Sequence, residues 1–201
     1  MLIGIDPSLT STGVVILSDA GEYLAAAQIP SSNAERMDVR CRSIAGRVRE
    51  TLVEFISGPH GKRVSVYIEY PGGNLKGPAQ NLLVLYWYII EEFARRIVLS
   101  ELSIYAVAPQ ALTKYITSRG TANGADKCAA VMSRWMHLLP EQYQVSADSK
   151  GGIERFKDLF DGMGLAQLGL THQTGQGTAW QKEVAGKLTV IVDAEEEEQI
   201  K

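Results

Sequence analysis

The sequence predicts an α/β fold in which helices cover a mixed central sheet. Short apolar runs separated by a reversal open the chain, and strand and helix patterns alternate after them without internal repeats. Three strands precede the first predicted helix, and two more alternate with the helices after it, which gives five strands. An opening meander followed by strands that alternate with helices is typical of a mixed sheet flanked by helices.

The predicted strands are short, and the first three form an antiparallel meander with a reversal at 19–21. Their predicted ranges are 2–6, 13–18, about 22–29, 64–69 and 103–109. The run KLTVIV near the carboxyl end is one further candidate strand.

Helices are predicted from apolar residues that recur at three- and four-residue steps. The first helix is amphipathic, and the second is apolar over most of its surface. The predicted helices span 33–57, 79–99, 110–117, 126–137 and 154–170, and 138–153 is predicted to be a linker. We expect residues 1–170 to form the main domain and residues 171–201 a C-terminal extension with an acidic tail.

Composition bounds the possible functions of this 201-residue chain. The net charge is -3, but residues 193–201 carry -4, so the remainder carries +1 and permits a DNA partner. No apolar run reaches the length of a membrane span, and the amino terminus lacks a signal-peptide pattern, so we expect a cytoplasmic protein. The two cysteines, Cys41 and Cys128, lack metal-ligand spacing and are expected to be buried thiols.

Four carboxylates stand out by their positions. Asp6 and Glu69 end predicted strands, where α/β proteins gather ligands, and Asp158 and Asp161 share one face of the last helix. Each acid alone is typical of a turn, a helix cap or a solvated surface. Together they would repel one another unless cations neutralise them or their pKa values rise, and oxygen-only ligands suit Mg²⁺ or Mn²⁺. Two such ions could activate a water for phosphodiester hydrolysis.

Three motifs that contain these acids resemble a known family. In chain order they are IGIDPSLTSTGVVI, VYIEYP and DLFDGMGLAQLG. They resemble the motifs of RuvC-type Holliday junction resolvases, in the RNase H-like nuclease superfamily, and the likeness spans about residues 1–170. It implies an RNase H-like fold, a homodimer, two Mg²⁺ per site and paired nicks across a four-way DNA junction. The compact, divergent form suggests a bacteriophage-type member.

The resemblance also implies roles for individual residues. The four acids of the motifs would be the metal ligands. In YITSRGTANGADK, Lys127 would contact the scissile-strand phosphate. Weaker candidates for DNA contact are Lys114, Arg119, Ser8 and Tyr70.

The chain departs from the family pattern at three places. Gly162 and Gly164 stand where the family helix usually has Ala or Leu, so the helix is either loose or closely approached by another backbone. Gly72 stands near the position of an aromatic wedge, for which Tyr70 could substitute. Residues 171–201 have no counterpart in the family.

A second copy of the chain is expected to cover part of the helix at 79–99. Consecutive aromatics, Tyr86, Trp87 and Tyr88, point around a helix and cannot all face one core. A dimer would also place two sites on the dyad of a four-way junction. The alternatives are a nuclease for forks or other branched DNA, a non-catalytic junction-binding protein, and an actin-like ATPase that uses DPSLTSTG as a phosphate-binding hairpin.

Overall fold

A computed structural model describes residues 1–56, 63–72, 77–96, 101–144 and 150–193. Side chains at 78, 96 and 150–154 are excluded from the description. Within these ranges, no helix combines the length and apolarity needed to cross a membrane.

The sheet has six strands where the sequence predicted five. The strands are β1 (Leu2–Asp6), β2 (Ser11–Leu17), β3 (Tyr23–Pro30), β4 (Arg63–Glu69), β5 (Glu101–Val107) and β6 (Thr189–Asp193). Their spatial order is β3-β2-β1-β4-β5-β6. The additional strand is the KLTVIV candidate, which pairs antiparallel with β5 at the edge of the sheet.

The pairing is mixed, as predicted. β1, β2 and β3 form an antiparallel meander, whereas β1–β4 and β4–β5 are parallel. Parallel neighbours end at the same edge of a sheet, so the carboxyl ends of β1, β4 and β5 lie side by side.

Six α-helices cover the sheet within the described residues. They are α1 (Met37–Ile56), α2 (Pro78–Arg96), α3 (Pro109–Thr117), α4 (Gly124–Trp135), α5 (Lys150–Thr174) and α6 (Ala179–Ala185). Side chains alternate along each strand, which gives the sheet two apolar faces. One face packs against α1 and α2, and the other packs against α3, α4, α5 and α6.

Several predicted boundaries were wrong. α5 extends beyond the predicted 154–170 at both ends, because glycines at its start and polar residues at its end hide the helical period. The predicted linker at 138–153 holds the end of one 3-10 turn (Met136–Leu138), another (Glu141–Tyr143) and the start of α5. The short helix α6 was not predicted. Residues 97–99 of the predicted second helix lie outside the described residues.

Glycines bring α5 into backbone contact with the sheet. A Cβ at Gly4 would lie 2.0 Å from the Gly162 carbonyl oxygen, and a Cβ at Gly13 would lie 2.0 Å from the Asp158 carbonyl oxygen. Gly164 and Gly169 leave room in the same way for the side chains of Ile116 and Tyr67. Close approach, rather than a loose helix, is therefore the structural role of the glycines in α5.

Candidate active site

Asp6 and Glu69 end two adjacent parallel strands. They follow the paired residues Ile5 and Ile68 of β1 and β4, so they occupy neighbouring positions at one edge of the sheet. Asp6 is only 8% exposed, and Glu69 is half-buried. The carboxyl edge of the sheet thus carries two acids that are largely removed from water.

The helix α5 brings two further acids to this edge. Asp158 and Asp161 lie three residues apart, and the contact of Gly13 with the backbone at 158 fixes their height above β2. Asp161 is 2% exposed, whereas Asp158 is half-buried. The structure therefore brings together all four acids that the sequence selected.

The electrostatics of Asp6 show how tightly the acids are grouped. Burial is the largest cause that raises the pKa of this carboxyl well above its ordinary value, and neighbouring negative charges raise it further. Those neighbours are Glu69, Asp161 and Asp158. Only a cation can relieve this repulsion while the acids stay ionised.

Glu69 and Asp158 respond in the same direction. Burial, with repulsion from Asp161, raises the pKa of Glu69 to about 7. Burial also raises the pKa of Asp158 to about 6, although Lys157 and a hydrogen bond with Asp6 lower it in part. Both carboxyls are therefore held near the range in which they exchange protons at neutral pH.

Lys127 is the internal cation of the cluster. Its Nζ donates to Asp161 Oδ2 at 2.7 Å, and the two side chains are 12% and 3% exposed. Burial lowers the pKa of this ammonium, but the surrounding carboxylates outweigh that effect and raise the pKa overall. The amino end of α4, capped by the Asn123 side chain on the backbone N–H of Asp126, positions this lysine.

The donor set fits a hard divalent cation. Glu69 Oε2 and Asp161 Oδ1 are buried and have no hydrogen-bond partner among the described residues, so each has a lone pair available for a ligand. All the donors are oxygens, which suits Mg²⁺. No group of three or more His, Cys, Asp or Glu within the described ranges is already arranged as a metal-binding cluster. The four acids lie close together, but their side chains would have to move to coordinate a metal ion.

The other sequence candidates lie outside this cluster. Lys114 Nζ pairs with Glu183 at 3.0 Å and lines a cleft of about 460 Å³ between α3, α6 and β6, which the four acids do not line. Arg119 is exposed in the turn that follows α3. Neither cation contacts the acids through an ion pair among the described residues.

Ser8 and Tyr70 follow the strand-end acids and have structural partners. The Ser8 hydroxyl accepts from the backbone N–H groups of Thr10 and Ser11, and so organises the turn after Asp6. The Tyr70 ring packs edge-on against Tyr86, with centroids 5.4 Å apart. The described part of the loop after Tyr70 ends at Gly72, and residues 73–76 lie outside the described residues.

Sequence reasoning missed two cations. Lys157 precedes the first acid of the helix pair and lowers the pKa of both Glu69 and Asp158. Arg40 is only 6% exposed and holds the turn after Asp6 through the Leu9 carbonyl oxygen. Lys157 could have been found from the sequence because it is adjacent to the motif. Arg40 could not, because it looks like an ordinary polar residue between the apolar positions of α1.

Comparisons with solved structures identify a shared architecture. RuvC of Thermus thermophilus in complex with a Holliday junction substrate matches with a TM-score of 0.57 at 20% identity, over 94% of this chain and 98% of that chain. A second Thermus thermophilus RuvC structure matches with a TM-score of 0.56 at 19% identity, over the same shares. The chain has a RuvC-like fold.

The RuvC likeness is at the level of the fold. No protein-family model matches the chain, and no curated protein matches it. The RuvC-like, RNase H-like architecture that the motifs implied is therefore confirmed, with six strands. The likeness does not distinguish a cellular from a bacteriophage-type protein.

Proposed function

We propose that the protein is a metal-dependent endonuclease that resolves four-way DNA junctions by paired symmetric nicks. The observation that carries the proposal is the convergence of four acids, three of which (Asp6, Glu69 and Asp158) have raised pKa values, and an internal lysine at the strand ends of a RuvC-like fold. Carboxylates placed together at this cost are typical of catalytic sites.

Two Mg²⁺ ions, or Mn²⁺ in their place, would be held by the four acids. The chemistry that the bound ions supply is a lowered pKa for the attacking water and stabilisation of the leaving 3′-oxygen. Asp6 interacts electrostatically with all three of the other acids, so we expect it to serve both ions. The products would carry 5′-phosphates.

Lys127 has two functions in this proposal. In the absence of metal it offsets the negative charge of Asp161. When DNA is bound, the same ammonium would contact the scissile-strand phosphate, because it is the cation closest to the acids. Lys114, Arg119, Ser8 and Tyr70 remain proposed DNA contacts.

A homodimer through α2 would provide two sites related by a dyad. Trp87 is 52% exposed and Val84 is 42% exposed, three residues apart on α2, whereas Tyr86 is buried and Tyr88 is half-buried. An exposed apolar pair on a helix surface is typical of an interface. The nuclease unit would comprise residues 1–170, with residues 171–201 as an extension that supplies β6.

The substrate is tested with synthetic DNA of defined shape. The protein is incubated with a mobile four-way junction, a replication-type fork and a linear duplex in Mg²⁺, and the nicks and their end groups are mapped. We expect symmetric nicks in two opposed strands of the junction, with 5′-phosphate ends, and no nicks in the duplex. Products with 3′-phosphates would refute the proposed chemistry.

The same experiment separates the alternatives. Preferential cutting of the fork would identify a branched-DNA nuclease that prefers forks to four-way junctions. If wild type and Asp6→Asn both bind the junction in Ca²⁺ but neither cuts it in Mg²⁺, the protein is a non-catalytic junction-binding protein. Tight ATP binding without DNA cleavage would favour the actin-like ATPase.

A further inference from the structure

The turn after Asp6 is tied to an arginine-bearing helix on the other face of the sheet from α5. The Leu9 carbonyl oxygen accepts from Arg40 Nη2 and from the Ser31 hydroxyl. The backbone N–H of Ser31 donates to the Thr10 carbonyl oxygen at 3.1 Å. The end of β3, the start of α1 and the catalytic-side turn therefore form one continuous surface.

Three arginines lie at the start of α1 and along this side of it. Arg40 and Arg47 are seven residues apart, which places them on one helix face, and Arg36 immediately precedes the helix, where its carbonyl oxygen accepts from the backbone N–H of Arg40 at 2.9 Å. Arg47 Nη1 donates to the Pro30 carbonyl oxygen at 2.6 Å, and Pro30 is paired with Ser11 at the catalytic edge. These three arginines and the exposed hydroxyls of Thr10 and Ser32 form one surface, which we call the arginine track.

Arg40 carries a buried charge that no opposite charge among the described residues contacts. Its guanidinium donates to Ser31 Oγ at 2.9 Å and to the Leu9 carbonyl oxygen, and both acceptors are neutral. No carboxylate of the described residues lies within ion-pair distance of it. Because an unpaired buried charge is costly, an anion bound at the neighbouring surface would be favoured.

The exposed charges of this segment also favour binding of an anion. Apart from Arg42, which lies on the other side of α1, residues 31–47 contain three arginines and two acids, a net charge of +1. Arg36 is paired with Asp38 at 3.4 Å, but its side chain is 85% exposed, so that pair offsets little of its attraction for a polyanion. Arginines and hydroxyls are the groups that bind phosphate oxygens of a nucleic-acid backbone.

We propose that the arginine track binds the phosphate backbone of the DNA on the side of the catalytic edge opposite Lys127 and α5. The inference rests on the proposed function, because it assumes that DNA reaches the four acids. Cations on both faces of the sheet edge would then flank the acids, with Lys127 and Lys157 on one side and the track on the other. The track positions a strand without reading its sequence.

The test measures binding of a synthetic four-way junction in Ca²⁺ by fluorescence anisotropy as a function of salt. The variants are Arg36→Gln and Arg47→Gln, whose side chains are exposed. The matched control is Arg42→Gln on the other side of α1, where Nε donates to the Tyr88 hydroxyl at 3.1 Å. The oligomeric state of each variant is measured first.

We expect Arg36→Gln and Arg47→Gln each to weaken junction binding by about three- to tenfold and to reduce the slope of log affinity against log salt by about one. Arg42→Gln should change affinity less than about twofold. If wild type binds the junction but the track variants match the control in affinity and slope, the arginine track is refuted and the proposed function stands. If wild type does not bind the junction, both are refuted.

Discussion

At the residue scale, burial and mutual repulsion raise the pKa values of Asp6, Glu69 and Asp158. Glu69 has a pKa of about 7 in the folded protein against an ordinary value of 4.5. Between those values the folded state keeps a proton that the unfolded state has lost, so stability falls as pH rises. Without metal, therefore, the ionised acids lower the free energy of unfolding at neutral pH.

This effect predicts a pH dependence of stability. In EDTA, the free energy of unfolding should be higher at pH 5 than at pH 8 by about 1–3 kcal/mol, and most of the fall should be complete once pH has passed the folded pKa values of Asp158 and Glu69. Urea unfolding across this range measures it, and Glu69→Gln should flatten the slope. A wild-type stability that rises between pH 5 and 8 would be incompatible with the cluster described.

Lys127 should matter for stability as well as for activity. Replacing it with Met removes the cation that pairs with Asp161 in a nearly dry environment, and breaking such a pair costs about 3–5 kcal/mol. We expect Lys127→Met to lose about 2–4 kcal/mol in EDTA, measured by urea unfolding, and to recover part of it in Mg²⁺. The exposed Lys182→Met is the control. Equal stability of both variants would show that Lys127 is not the internal counter-ion.

At the element scale, the packing of α5 on the meander sets the position of the helix acids. The Gly13 position tests this, because an added Cβ would lie 2.0 Å from the Asp158 carbonyl oxygen. We expect Gly13→Ala to destabilise the protein by about 2–4 kcal/mol or, if it folds, to reduce cleavage by displacing Asp158.

Gly46→Ala on α1 is the matched control for that substitution. A Cβ at Gly46 meets nothing within 4 Å, so replacing glycine inside the helix should stabilise the protein by about 0.5–1 kcal/mol. Thermal unfolding of both variants measures the contrast. If Gly13→Ala were as stable and as active as Gly46→Ala, α5 would not depend on backbone contact with β2.

The elements also show what the sequence could and could not predict. Strand ends and the Asp-x-x-Asp spacing are local patterns, so Asp6, Glu69 and the helix pair could be selected from the sequence alone. The full length of α5 could not, because the glycines at its start are poor helix formers and the polar residues at its end hide the helical period. Arg40 was missed because its interactions with Leu9 and Ser31 join residues distant in sequence.

At the scale of the whole molecule, the proposed dimer depends on the exposed apolar pair of α2. Trp87→Glu should shift the protein from dimer to monomer, because it places a charge in the centre of the proposed interface. Light scattering after gel filtration measures the mass. The control is Val190→Glu on β6, where a valine is 48% exposed on another element. A dimer that survives Trp87→Glu, or a wild-type monomer, would exclude an interface at this position.

The most direct test of the whole account is cleavage of a supercoiled plasmid that extrudes a cruciform, a four-way junction. Wild type in Mg²⁺ should convert it to linear DNA, because paired nicks across the junction cut both strands. Asp6→Asn in Mg²⁺, and wild type in EDTA, should leave the plasmid supercoiled. In a separate binding measurement in Ca²⁺, both proteins should still bind the junction. Linear product from Asp6→Asn or without divalent metal would contradict the account, and so would intact supercoiled plasmid or only nicked circles from wild type in Mg²⁺.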